Sequence, residues 1–367
     1  MSKHKNRVLN FGAGPSLLPE KVIEQLQQSL WNFQGSGMGL LEIYHRSSLF
    51  DEVMEELEYR FRKILKLDES SHIFFLPGGA SFLFAAIPLN FLKKDQAAGF
   101  LHSGYWTDKA IAETKRIGEA RLLASSEADQ FLCLPTLPTA TDTKDVCYIQ
   151  YCSNNTIEGT QWHSLPRFEN TPVVVDMSSD ILSRELDFNQ FDLIFGGLQK
   201  NLGAAGIAVC VIRDSFLQSS NKGLPIFFQL SAHLTAGSRL NTPHTLGLYL
   251  CLLMLRWLED QGGLIAIGEE NRRKAEFLYE YLDQSSVFEA PVREADRSHM
   301  NIVFDLKPEH KEQEERFLSE AEDGGFLSLA GHRSRGGFRA SLYNAQSFDS
   351  VRALTLFMEK FESKIKA

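Results

Sequence analysis

The chain has 367 residues, 43% hydrophobic and 23% charged, the balance of a globular protein long enough for a large domain and a smaller one. A formal net charge of -9 and a pI near 5.6 argue against a nucleic-acid surface, although a local basic pocket stays compatible with them. The most apolar run, Leu246–Leu255, is stopped by Arg256 and is too short to cross a bilayer, so it reads as a buried helix and not a membrane span.

The five cysteines, Cys133, Cys147, Cys152, Cys210 and Cys251, are odd in number and form no Cys-x-x-Cys pair. They read as small buried hydrophobes in a reducing, cytoplasmic setting, not as disulfides or zinc ligands. Residues 1–7 are basic but no apolar run follows them, so no signal peptide is expected.

In chain order, Pro19 and Glu20 open a helix through about Phe33, and Gly35–Gly39 breaks it. A second helix is expected from about Phe50 to Lys66, with Val53, Leu57, Phe61 and Ile64 as its apolar stripe. Between them lie His45 and Arg46, a dipeptide that by composition is a solvated surface pair. His72–Leu76 reads as a strand, followed by the turn Pro77-Gly78-Gly79-Ala80-Ser81 and an apolar helix to about Leu92. Strand, glycine turn and helix aim free N–H groups at one point and suit a phosphate, although any tight turn can use the two glycines.

A strand over Ala98–His102 leads past Trp106 into a helix to about Gly118; Trp106 suits either a core position or a plate beside a flat ring. Residues 125–144 are rich in Ser, Thr, Asp and Pro and read as a surface connection. Strands follow at Val146–Tyr151, reaching Thr156, and at Val173–Val175, Leu193–Phe195 and Ile207–Ile212. Strands alternating with helices point to an α/β fold with a mostly parallel sheet. Helices at about 245–260 and 264–283 precede a strand at Met300–Asp305, a helix at about 309–323 and a last helix at about 348–365. This order divides the chain into an N-terminal segment (1–15), a large domain (16–262) and a small C-terminal α+β domain (263–367).

Two strand ends carry chemistry. Leu193–Gly197 stops in glycines and delivers Lys200, while Val173–Val175 runs into Asp176. A buried lysine loses part of its affinity for a proton, the usual preparation for a Schiff base, though a lysine beside two glycines more often snorkels to water. Ligands of α/β sheets bind beyond the carboxyl ends of the strands. An amine and an acid there match the aldehyde and the pyridine nitrogen of pyridoxal 5'-phosphate.

The segments Gly197–Gly203, Asp176–Arg184, Asn10–Pro15, Glu42–Ser47, Ser153–Gly159, Asn241–Pro243 and Gly331–Ser341 together resemble motifs of the phosphoserine aminotransferase family, class-V members of the fold-type-I pyridoxal-phosphate enzymes. The resemblance covers the chain from about residue 10 onward and implies a large domain with a mostly parallel sheet flanked by helices plus a small α+β domain. It implies transfer of the amino group of L-glutamate to 3-phosphohydroxypyruvate, giving phosphoserine in serine biosynthesis, with a related step of pyridoxine biosynthesis also open. It casts Lys200 and Asp176 as catalytic, and Ala80, Ser81, Trp106, Thr156, Gln199, Asn241 and Thr242 as further cofactor contacts. His45, Arg46, His332 and Arg333 would meet as one anion site, Arg339 would take the α-carboxylate, and Asn241 and Thr242 would reach a partner's cofactor in a homodimer with shared sites. No metal is implied.

Two departures stand out: Ala13 replaces a serine of some relatives and Leu83 a polar residue near the phosphate turn. A serine–glyoxylate type aminotransferase or cysteine desulfurase would share fold and lysine, but a desulfurase needs an exposed cysteine on a mobile loop. A P-loop ATPase is disfavoured because Asn201, not Ser or Thr, follows Lys200. A binding protein without chemistry would not need Lys200, Asp176, Trp106 and the C-terminal arginines together.

Overall fold

The computed structural model describes residues 7–139 and 142–366. The basic start of the chain up to residue 6, and residues 140–141 of the surface connection, lie outside the described residues.

The elements run β1 (Leu9–Asn10), α1 (Glu20–Trp31), α2 (Ser48–Leu65), β2 (Ser71–Pro77), α3 (Ala80–Phe91), β3 (Ala97–His102), α4 (Tyr105–Lys115) and β4 (Glu119–Ser125). Then come β5 (Val146–Cys152), β6 (Asn154–Asn155), β7 (Thr160–Gln161), β8 (Val173–Asp176), β9 (Leu193–Gly197) and β10 (Ile207–Arg213). The chain continues through α5 (Asp214–Gln218), α6 (Leu230–Thr235), α7 (Thr245–Asp260) and α8 (Gly263–Gln284). It ends with β11 (Phe288–Glu289), β12 (Asn301–Leu306), α9 (Glu314–Asp323), β13 (Phe326–Leu327), β14 (Phe338–Ser341) and α10 (Phe348–Lys366).

Seven strands form the central sheet in the order β2-β10-β9-β8-β5-β3-β4. All neighbours are parallel except β10, which runs antiparallel to both β2 and β9. Side chains alternate faces along each strand. Ile73, Phe75, Val173, Val175 and Ile194 enter one apolar cluster with α2 and α7, whereas Phe74, Leu76, Val174, Leu193 and Phe195 enter another with α3. Helices therefore cover both faces, which is why the central strands read as continuous apolar runs.

A three-stranded antiparallel sheet, β11-β12-β14, builds the C-terminal part, with a third apolar cluster drawn from α8, α9 and α10. The N-terminal segment belongs with it, because β1 pairs in parallel with β13, Leu9 opposite Phe326. The structure departs from the sequence reading at β4, an edge strand whose Glu119-Ala-Arg-Leu-Leu-Ala-Ser125 lacks a clean alternation. It departs again over 308–313, where a 3-10 turn opened by Pro308 precedes α9.

Candidate active site

Asp176 closes β8 and Lys200 follows β9; these strands are parallel neighbours, with Asp176 opposite Phe195, so both residues leave the sheet at the same edge. They line a cavity of about 280 Å³ together with Gly79, Ser81, Trp106 and Gln199. Lys200 is 7% exposed, and its Nζ donates to the neutral hydroxyl of Thr156 at 2.6 Å. Burial lowers its pKa below the ordinary lysine value, with the Asp176 charge opposing. The same Nζ stands 5.6 Å from the centre of the Trp106 ring.

The Asp176 carboxyl is fixed from one side. Its Oδ1 accepts from Ser178 N at 2.9 Å and Ser178 Oγ at 2.6 Å, and Ser178 Oγ in turn accepts from Gly197 N at 3.1 Å. Among the described residues no donor reaches Oδ2. Burial raises the Asp176 pKa, while Ser178 and Lys200 pull it back.

At the far end of the cavity, Gly78 (φ 87°) and Gly79 (φ 66°) take conformations that a side chain would strain, and no side chain caps α3. The first-turn N–H groups at Ala80 and Ser81 are thus left for an anion. Leu83, one of the departures, is fully buried in the apolar cluster beneath α3, so its change of polarity does not alter the cavity. Ala13 contributes its carbonyl, which accepts from Tyr343 Oη at 2.7 Å, a bond indifferent to the side chain at 13.

Arg339, on β14, donates from Nη1 to Thr156 O at 3.2 Å, and its buried Nε has no partner among the described residues. Burial lowers its pKa, with Tyr343 and Glu158 opposing. His332 packs against Tyr105 with ring centres 5.2 Å apart, and Arg333 beside it is exposed. His45 and Arg46 lie elsewhere: Arg46 Nη2 donates to Arg239 O, and Arg239 Nη1 to His45 O, each at 3.4 Å. Asn241 and Thr242 are exposed and line a separate cavity of about 340 Å³. Within one chain, then, no described contact brings His45 and Arg46 to His332 and Arg333.

The aminotransferase class-V family model matches residues 8–354. The chain belongs to the class-V aminotransferases. Its relatives include the phosphoserine aminotransferases of Lysinibacillus sphaericus, 42% identical over 98% of this chain and 99% of theirs, and of Bacillus subtilis, 41% identical with the same coverage. Among solved structures, phosphoserine aminotransferase from Bacillus circulans subsp. alkalophilus superposes with a TM-score of 0.93 at 40% identity, covering 98% of this chain and 99% of that one. The enzyme from Trichomonas vaginalis gives 0.88 at 32% identity, covering 96% and 100%.

Class-V aminotransferases depend on pyridoxal phosphate, and this cavity fits that group by its own chemistry. Among the described residues, Trp106 Nε1 and Gln199 Oε1 are buried polar atoms without a partner, no donor reaches Asp176 Oδ2, and no side chain caps α3. Several contacts escaped the sequence reading. Ser178 holds Asp176 and carried a local signal, the hydroxyl two residues after a strand-ending acid. Ser16, whose N donates to Gln199 O at 3.0 Å and whose Oγ donates to Lys200 O, carried none.

Proposed function

We propose that this class-V aminotransferase moves the amino group of L-glutamate to 3-phosphohydroxypyruvate, giving phosphoserine and 2-oxoglutarate, in the cytoplasm and as a homodimer. The observation that carries the reading is the Lys200–Thr156–Arg339 arrangement: a buried amine of lowered pKa and a half-buried guanidinium, whose Nε has no partner among the described residues, meet on one residue, Thr156. The names of the relatives supply the substrate class. The phosphorylated hydroxy-oxobutanoate of pyridoxine biosynthesis shares an α-keto acid and a phosphate, and is retained as a second substrate.

Pyridoxal phosphate, when bound, supplies an aldehyde for the amine and an electron-withdrawing ring. Lys200 Nζ, its pKa lowered by burial, would take the proton from the substrate α-carbon and deliver it to the carbon on the other side of the transferred nitrogen, two bonds away. Asp176 Oδ2 holds the proton at the ring nitrogen, its Oδ1 immobilised by Ser178. Trp106 covers a ring face, and the first turn of α3, with Ala80 and Ser81, holds the phosphate. Arg339 orients the substrate carboxylate through paired hydrogen bonds, and Gln199 closes the site beside Lys200. Arg333, with Arg46 of the second subunit, supplies the positive charge that a phosphate or the distal carboxylate of glutamate needs, and His332, with His45 of the second subunit, offers ring nitrogens for hydrogen bonds.

Two features support the dimer. Trp31, Leu41 and Tyr44 are 85%, 66% and 60% exposed just before His45, an apolar stretch suited to burial by another subunit. Asn241 and Thr242 are exposed and line a cavity that shares Gly206 with the lysine cavity. No described helix is long and apolar enough to cross a membrane. The test is purified protein with glutamate and 3-phosphohydroxypyruvate, following 2-oxoglutarate. Turnover with glyoxylate or pyruvate but not with the phosphorylated acid would overturn the substrate assignment.

A further inference from the structure

Glu158 is a carboxyl that the proposed reaction does not use, yet it is 7% exposed and two residues along the chain from Thr156. Its Oε1 accepts from Tyr105 N at 2.8 Å, the first residue of α4, which its own N-cap residue leaves uncapped. The fit is tight. A Cβ at Gly104 would stand 2.5 Å from the Glu158 carboxyl carbon, so a glycine at that junction makes room for the carboxyl. A second tie runs beside it, Asn155 Nδ2 donating to Ser103 Oγ at 3.0 Å.

What Glu158 holds matters for Trp106 and His332 alike. Trp106 is the next residue of α4, and its ring meets Tyr105 edge-on at 5.2 Å; the other side of Tyr105 packs on His332 at 5.2 Å. Among the described residues Glu158 Oε2 is buried without a partner, and no salt bridge holds the carboxyl there. Burial pushes its pKa up, with the Tyr105 hydrogen bond opposing.

We propose that Glu158 is a positioning residue, whose carboxyl fixes the start of α4 and thereby sets Trp106 against the cofactor ring and Tyr105 against His332. The inference rests on the reading of Trp106 as the ring cover. A charged or neutral acceptor serves equally, since one oxygen makes the bond.

The test titrates the apo-proteins with pyridoxal 5'-phosphate by equilibrium dialysis and visible absorbance, with thermal melting of each apo-form alongside. Glu158→Ala is expected to weaken binding roughly tenfold, about 1.4 kcal/mol, the scale of a lost hydrogen bond. Glu158→Gln, which keeps the acceptor oxygen, is expected to stay within roughly twofold of wild type. Trp106→Ala is expected to weaken binding at least as much as Glu158→Ala. A Glu158→Ala protein that melts lower but binds with wild-type affinity, while Trp106→Ala does not, overturns the proposal and leaves the Trp106 reading intact. So does a Glu158→Gln protein as weak as Glu158→Ala. Wild-type affinity in Trp106→Ala overturns the Trp106 reading and the proposal with it. Should Glu158→Ala fail to fold, Glu158→Asp, whose oxygens fall short of Tyr105 N, must show the weakening instead.

Discussion

Lys200 and Arg339 converge on one residue: Lys200 Nζ donates to Thr156 Oγ1 at 2.6 Å and Arg339 Nη1 donates to Thr156 O at 3.2 Å. The Lys200 amine and the Arg339 guanidinium, proposed above for proton transfer and carboxylate binding, are therefore held in register by a single turn after β6, although 44 and 183 residues separate them from Thr156 in sequence.

Thr156→Val should remove the first bond and keep the second. A hydrogen bond to a charged group contributes about 1.5–3 kcal/mol, so kcat is expected to fall roughly ten- to a hundredfold, with a smaller change in KM because the Arg339 contact uses the backbone. Steady-state kinetics with both substrates checks this; a fall confined to KM would show that the hydroxyl aids binding and not the amine.

A buried amine whose pKa is lowered by desolvation costs stability that the site retains for chemistry. Lys200→Met should abolish turnover and raise the melting temperature of the cofactor-free protein, by on the order of 1 kcal/mol or more. Loss of stability together with loss of turnover would mean that the amine is needed to hold the fold.

The fold class was legible because strands buried on both faces leave long apolar runs, and the two strand ends carrying Asp176 and Lys200 are local features. β4 was not, because an edge strand has only one packed neighbour and its sequence need not alternate. Contacts such as Tyr105 against His332, or Tyr343 Oη to Ala13 O, depend on how the C-terminal sheet docks on the central one, which no local spacing encodes. Glu158 was visible only as a letter in a motif; its place beneath α4 required the structure. The lack of a described contact between His45 and Arg46 and His332 and Arg333 within one chain is of the same kind, since a motif order cannot say which chain supplies each end.

The seam between the central and C-terminal parts carries an acid-sensitive pair, His163 and His299, with ring centres 4.7 Å apart. Burial, His163, Arg184 and Arg272 hold His299 down at about 4, against an ordinary 6.5. Between those values the unfolded chain binds a proton that the folded one refuses, so stability is fully present above pH 6.5 and is lost as pH falls toward 4. His299→Gln should flatten this loss by on the order of 1 kcal/mol, seen as a smaller drop in melting temperature between pH 7 and pH 5. An unchanged drop would assign the sensitivity to other groups.

The proposed sharing of sites between subunits makes a stronger demand, because it predicts more activity from a mixture of two impaired proteins than from either alone. If Thr242 serves the partner's cofactor, a Lys200→Ala chain lacks the amine of its own site but still completes its neighbour's. A Thr242→Ala chain has the amine but spoils its neighbour's phosphate contact. In a hybrid dimer, the site built on the Thr242→Ala chain's Lys200 receives an intact Thr242 from the other subunit and carries neither lesion. The second site carries both. Random reassembly of equal amounts makes half the dimers hybrid, each with one intact site, so the mixture should recover roughly a quarter of wild-type activity. The same logic extends to Arg46, which lies beside Arg239 and away from His332 within one chain. Lys200→Ala mixed with Arg46→Ala should recover to the same extent, whereas Lys200→Ala mixed with Arg339→Ala should also recover only if Arg339 acts across the interface, which its bond to Thr156 of its own chain argues against. The expected pattern is therefore recovery with Thr242→Ala and Arg46→Ala and none with Arg339→Ala. Recovery in none of the three, with hybrids confirmed by native mass spectrometry, would place each active site within a single subunit.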